Sequence, residues 1–181
     1  YKVDIKNRPY KGAKDAKVVM AMWSDFQCPW CKRVNPMFAE VMKKFGKDVK
    51  IVWFDFPLRF HKQAMPAAAA CYEVFLQKGN KAFWTCHDKV FANARNITDQ
   101  NLIKWAKESG ADGAKVAEAL KSKKHEKAVR ASMMAGQRIG VRGTPTLIIN
   151  GKKYRGRRDA ATITALIQAE IKKAGGDNPR P

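Results

Sequence analysis

The chain has 181 residues, 45% of them hydrophobic, and 36 lysines and arginines against 16 acidic residues give a formal net charge of +20. That length suits one compact domain or a core carrying an insertion. No stretch reaches the roughly 18 consecutive apolar residues of a membrane span. The lysines are spread over most segments rather than gathered in one arm, so the charge reads first as a solvated surface. Attraction to acidic clients or anionic surfaces comes second. Nucleic acid is excluded as a partner, since no reading motif accompanies the charge.

Taken in chain order, Tyr1 to Ile5 alternates and predicts an edge strand. The same start lacks an apolar h-region, so any leader is read as removed or truncated. Lys17 to Trp23 is apolar without alternation, as in a strand buried on both faces. After it come two cysteines in Phe26-Gln27-Cys28-Pro29-Trp30-Cys31. Val34, Met37, Phe38, Val41, Met42 and Phe45 then mark one face of a helix. Val49 to Phe56 predicts a second buried strand. From about Gln63 the strand signals stop, and helices are predicted over Met65 to Gln77, Lys81 to Asn93, Thr98 to Glu108, Gly113 to Lys121 and His125 to Arg138. Thr146 to Ile149 resumes the sheet, and Asn150-Gly151 is a two-residue hairpin turn into Lys152 to Arg155. Asp159 caps a last helix carrying Ile163, Leu166, Ile167 and Ile171 on one face. A flexible tail is expected over 176–181.

The chemistry sits at Cys28 and Cys31. Cys28 falls where a buried strand meets a helix, with Pro29 at the helical position that best tolerates proline. Free N–H groups and the positive end of the helix dipole favour thiolate there. A C-x-x-C pair in this setting reads as a redox dithiol. Half of a zinc site is the alternative, but Cys71, Cys86, His61, His87 and His125 supply no second ligand pair at regular spacing. No metal or other cofactor is therefore expected. Cys28 is predicted exposed and nucleophilic, Cys31 one turn in and resolving. Trp30 offers an apolar surface for clients, and Asp25 is the nearest acid, suited to capping the helix.

With Pro145 at the mouth of an apolar strand in Gly143-Thr144-Pro145-Thr146, and Pro36 five residues after Cys31, the pattern resembles the thioredoxin superfamily. Ser24 to Cys31, Phe54-Asp55-Phe56-Pro57-Leu58 and the long helical stretch narrow it to the DsbA-like branch. The resemblance runs roughly from Tyr1 to Lys173. It implies an α/β thioredoxin fold over 1–62 and 138–175, with an all-helical domain inserted at 63–137. It also implies that a cis Pro145 faces the dithiol while Thr144 lends backbone groups to the client. Many relatives carry a carboxylate six residues before the first cysteine, where this chain has Met22. Cysteine-bearing protein clients, a membrane redox partner that recycles the dithiol, and a periplasmic or otherwise extracytoplasmic location follow from the same resemblance. The missing histidine between the cysteines, and Thr144 before the proline, leave oxidase and reductase or isomerase both open. A chaperone-like client-binding module is the non-enzymatic alternative.

Cys71 and Cys86 are each about seven residues from the centre of one predicted helical turn, so they stand at equal height in an antiparallel pair. They are expected either to bridge as a structural disulfide or to pack as free apolar residues. The three histidines are expected at the surface or core edge.

Overall fold

The structure is a computed structural model that describes residues 1–175; the tail expected over 176–181 lies outside the described residues. Its strands are β1 (Tyr10–Gly12), β2 (Val18–Ser24), β3 (Val49–Asp55), β4 (Thr146–Ile149) and β5 (Lys152–Lys153), joined in the order β1-β3-β2-β4-β5. β2 and β3 run parallel, paired from Val18↔Val49 to Ser24↔Asp55. The crossover between them is the helix α1 (Pro29–Phe45). β4 returns antiparallel to β2, with Trp23 opposite Thr146.

Because both faces of the sheet are covered, its central strands carry apolar residues at nearly every position. Val18, Met20 and Met22 join Val49, Ile51 and Trp53 in the larger core with α1 and the helices beyond. Ala21 and Trp23 turn to the opposite face with Val52, Phe54, Phe56, Val141 and Ile148. There the Trp23 and Phe54 rings stack at 4.2 Å, and the Arg8 guanidinium lies 4.1 Å above Phe54.

Five helices separate β3 from β4: α2 (Ala64–Lys78), α3 (Asn80–Ala92), α4 (Asp99–Glu108), α5 (Gly113–Lys121) and α6 (Glu126–Arg138). Four successive alanines, Ala67 to Ala70, keep α2 slim, and Gly79 (φ 81°) lets the chain reverse directly into α3. Thr98 accepts a hydrogen bond from the Asn101 amide, and Asp112 accepts two, from Ala114 and Lys115. Such caps contribute about 1 kcal/mol each. Trp53, Phe83 and Phe91 fill the seam between sheet and helices. An aromatic side chain buries about 150–250 Å², which at ~25 cal/mol per Å² gives an upper bound of about 4–6 kcal/mol apiece. The final helix α7 (Ala160–Gly175) begins at Asp159, whose carboxylate accepts the Thr162 amide at 2.8 Å, and it buries Ile163 and Ile167.

α6 seats against the sheet through a glycine. A side-chain carbon on Gly136 would come within 2.5 Å of the Trp23 indole nitrogen. That nitrogen instead donates to the Ser132 carbonyl at 3.3 Å.

One expectation needs correction. The edge strand is Tyr10–Gly12, antiparallel to β3, and not Tyr1 to Ile5. The alternation of the first residues serves packing rather than pairing: Val3 and Ile5 lie against the Trp23–Phe54 face of the core.

Candidate active site

The level ends of β2 and β3 put Ser24 and Asp55 side by side, and α1 starts just beyond them. Cys28 is the N-cap of α1, in extended backbone (φ −72°, ψ 118°), and Pro29 opens the first turn. Its amide donates to the Asp25 carbonyl at 3.1 Å, and its own carbonyl accepts the Lys32 amide at 3.1 Å. Trp30 stands 63% exposed, with the Arg33 guanidinium 5.4 Å from its ring.

The expected exposure of Cys28 is not found: the residue is 5% exposed. The cause is the segment ahead of β4, which folds over it. There Thr144 and Pro145 are joined by a cis peptide bond, and the Cys28 thiol points at the Thr144 carbonyl, 3.6 Å away. The Thr146 hydroxyl donates to the Gly143 carbonyl at 2.7 Å, and Arg158 donates to the Pro145 carbonyl at 3.1 Å, so the segment is tied at both ends. The Thr144 hydroxyl is buried without a partner oxygen or nitrogen.

This setting splits the two thiols. A hydrogen bond from Cys31 pulls the Cys28 thiol down to about 5, helped by Thr144 and by the Cys31 and Trp30 amides, and burial opposes the shift. Cys31 is driven far upward, first by burial and then by its bond to Cys28. Free helix-start amides therefore contribute as the sequence suggests, but the largest influence on Cys28 is the neighbouring thiol.

Asp25 does not cap α1, which has no side-chain cap. Instead its buried carboxylate accepts from the Gln27 amide (2.7 Å), the Leu58 amide (2.7 Å) and the His61 ring (Nδ1, 2.8 Å). It thus fastens the loop before Cys28 to the loop after β3. Of the histidines, expected at the surface or core edge, His61 is half-buried as expected and the other two are buried. His61 joins this loop junction. His87 is buried among the Phe26, Trp53, Phe83, Trp84 and Phe91 rings, and His125 is buried against Glu73.

Asp55 was given no role by the sequence. It lies buried at the end of β3, accepts the Trp53 indole N–H at 2.7 Å, and is pushed up to about 7 by burial. A lone acid inside the apolar run Val52-Trp53-Phe54-Asp55-Phe56 is the signal that marks it. Among the described residues, no group of three or more His, Cys, Asp or Glu side chains converges as a metal site.

A parallel βαβ unit, a dithiol at the helix start and a proline segment facing it define a DsbA-like thioredoxin fold. The chain belongs to the thioredoxin family, whose model, described as "Thioredoxin", matches residues 5–169. Among solved structures, it is similar to oxidised BdbD from Bacillus subtilis, at 27% identity and TM-score 0.86 over 94% of this chain and 96% of that one. The thiol-disulfide exchange protein alpha-DsbA2 from Wolbachia pipientis shares the fold at 20% identity and TM-score 0.79, covering 91% of this chain and 87% of that one. By sequence, the chain is 30% identical to "Na(+)/H(+) antiporter NhaA 1" from Mycolicibacterium gilvum over 92% of its own length. It spans only about a quarter (27%) of that antiporter. No helix among the described residues is long and apolar enough to cross a membrane.

Proposed function

We propose that the chain is an extracytoplasmic thiol–disulfide oxidoreductase of protein cysteines, with Cys28 as nucleophile and Cys31 as resolving thiol, working mainly as a disulfide donor. The observation that carries this reading is the split of the two thiols. A Cys28 held near 5 by Cys31, Thr144 and the helix-start amides makes the reduced form stable, and a stable reduced form gives its disulfide away.

In the donating direction, a client thiolate attacks Cys28 of the Cys28–Cys31 disulfide. A client–Cys28 bond forms and Cys31 leaves, taking up a proton. A second client thiolate then attacks the client sulfur of this mixed disulfide and expels Cys28 as a stabilised thiolate. The client loses two electrons and closes its own disulfide, and the enzyme ends as a dithiol. During the mixed-disulfide stage the cis Thr144–Pro145 segment offers backbone groups to an extended client, as an added strand would. Trp30 and Phe60, 63% and 75% exposed, supply apolar surface for unfolded clients.

Support for the location comes from similarity to a protein described as a periplasmic thioredoxin-like protein, from Salmonella enterica serovar Typhimurium (TM-score 0.75, 20% identity). Recycling calls for a membrane redox partner that accepts two electrons, and the net charge of +20 suits approach to an anionic surface. The test is the reduction potential of the Cys28–Cys31 couple against a glutathione series. A value closer to −120 mV than to −270 mV is expected for a donor, on the approximate scale set by DsbA and thioredoxin. A value at or below that of thioredoxin would make the chain a reductase.

A further inference from the structure

α2 and α3 leave Gly79 in opposite directions and bring two more cysteines together. The Cys71 and Cys86 sulfurs lie 3.0 Å apart, 15 residues apart in sequence, and both residues are wholly buried. A disulfide is roughly 2.0 Å long, so about 1 Å of closure separates contact from bond. Each thiol has the other as its hydrogen-bond partner, and Ala67, Ala70, Val74, Phe83 and Val90 share the same core.

We propose that Cys71 and Cys86 form a second disulfide, one that closes while the chain folds in oxidising surroundings and staples α2 to α3 without entering client turnover. The balance is a simple exchange. The two thiols lose two electrons and two protons as one S–S bond forms. An incoming disulfide, of glutathione type or carried by a protein oxidase, takes the electrons and protons and becomes two thiols.

Closure belongs to folding because both folded cysteines are wholly buried, out of reach of an incoming disulfide. Burial, the neighbouring Cys86 and the Asp55 charge all raise the Cys71 thiol, so thiolate is suppressed in the native core. No helix N-terminus offsets this, since both cysteines lie in helix interiors. Before the hairpin docks, the same thiols are exposed to solvent and exchange freely.

The staple's place in the fold gives it a purpose. At the foot of α2, the Gln63 amide donates to the Gln27 side chain (2.7 Å) in the loop just before Cys28. At the head of α3, Asn80 accepts the Tyr10 amide of β1 (2.8 Å). The stapled hairpin is thus the ledge on which the active-site loop and the sheet edge both rest.

The test uses the full chain with Cys28→Ser and Cys31→Ser, which leaves only the second pair. This protein is reduced, unfolded, refolded in a glutathione redox buffer, then denatured and treated with iodoacetamide. No alkylated cysteine is expected, and trypsin should release residues 63–78 joined to 82–89. The oxidised form should melt ~6–12 °C above the same protein refolded with dithiothreitol, from the closure of a loop of about 15 residues. Two alkylated cysteines per chain would overturn the proposal. If the double variant does not fold, the same digestion of the unaltered protein decides the matter: the joined peptide supports the staple, and separate alkylated peptides sink it. Client turnover enters neither readout, so failure here is distinct from failure of the oxidoreductase reading, on which only the oxidising surroundings depend.

Discussion

The chain carries two cysteine pairs in one continuous core, and they have opposite character. Cys28 is 5% exposed and Cys71 is not exposed at all, so burial alone does not separate them. Yet the first thiol is drawn down to about 5 and the second is pushed well above its ordinary value. The difference lies in available donors. At the start of α1, the Trp30 and Cys31 amides, the Cys31 thiol and Thr144 all favour a charged Cys28. In the middle of α2 the amides are spent on carbonyls one turn back, and nothing offsets the loss of water. A reactive thiol is therefore made by unspent donors rather than by access to solvent.

The sharpest way to break this contrast is substitution. Cys28→Ser should abolish insulin reduction, Cys31→Ser should accumulate mixed disulfides with clients, and Cys71→Ala with Cys86→Ala should leave turnover within about two-fold of the parent. Mixed disulfides from Cys28→Ser rather than Cys31→Ser would reverse the assigned roles.

Acidity gives the next largest effect. The folded Cys28 value lies below its usual 9.0, so its stabilisation of the reduced protein is complete above pH 9 and is lost as pH falls toward 5. The melting temperature of the reduced protein, measured relative to the oxidised one, should accordingly climb between pH 5 and 9. At pH 7 that difference should correspond to a few kcal/mol of stability. A flat difference across that window would refute the donor argument.

Asp55 sharpens the contrast from the other side, since its charge is felt at Cys71. Its folded value is raised from 3.8 to about 7, so its ionisation costs stability as pH rises from about 4, with the full cost present above about 7. Asp55→Asn keeps an acceptor for the Trp53 indole and removes that cost. The variant's urea midpoint should gain on the parent between pH 4 and 8 by an amount worth a few kcal/mol. Parallel curves would mean the carboxyl is no more buried than an ordinary one.

The smallest effect is expected at the junction that supports Cys28. Asp25→Ala strands the Gln27 and Leu58 amides and the His61 ring, and should cost about 2–3 kcal/mol. His61→Gln should cost less, because it removes a single bond. If His61→Gln is as damaging as Asp25→Ala, the histidine does more than hold the loops together.

Much of the fold was legible because its signals are local. Predicted Met65–Gln77 and Lys81–Asn93 became Ala64–Lys78 and Asn80–Ala92, and predicted Thr146–Ile149 matched its strand end to end. Apolar periodicity, the cap at Asp159 and the glycine between α2 and α3 all act within a few residues. The missed features depend on distant partners. Asp25 meets His61 across 36 positions, and Cys28, expected exposed, is buried by the very proline segment expected to face it, whose Thr144 lies 116 positions away. Likewise, the alternation of Val3 and Ile5 is the same whether a segment pairs at an edge or lies across a sheet face, and the backbone pairing that decides it is set at Tyr10.

The missing side chain at Gly136 reaches further than the helix it belongs to. The Gly136 carbonyl accepts the Ile139 and Val141 amides, at 3.1 and 2.9 Å, so the chain that runs on to Thr144 is hung from that residue. How deeply α6 settles on the Trp23 indole therefore sets the height of the proline segment above Cys28. One methyl group there would act as a shim, lifting the segment's anchor and opening the 3.6 Å gap between the thiol and the Thr144 carbonyl.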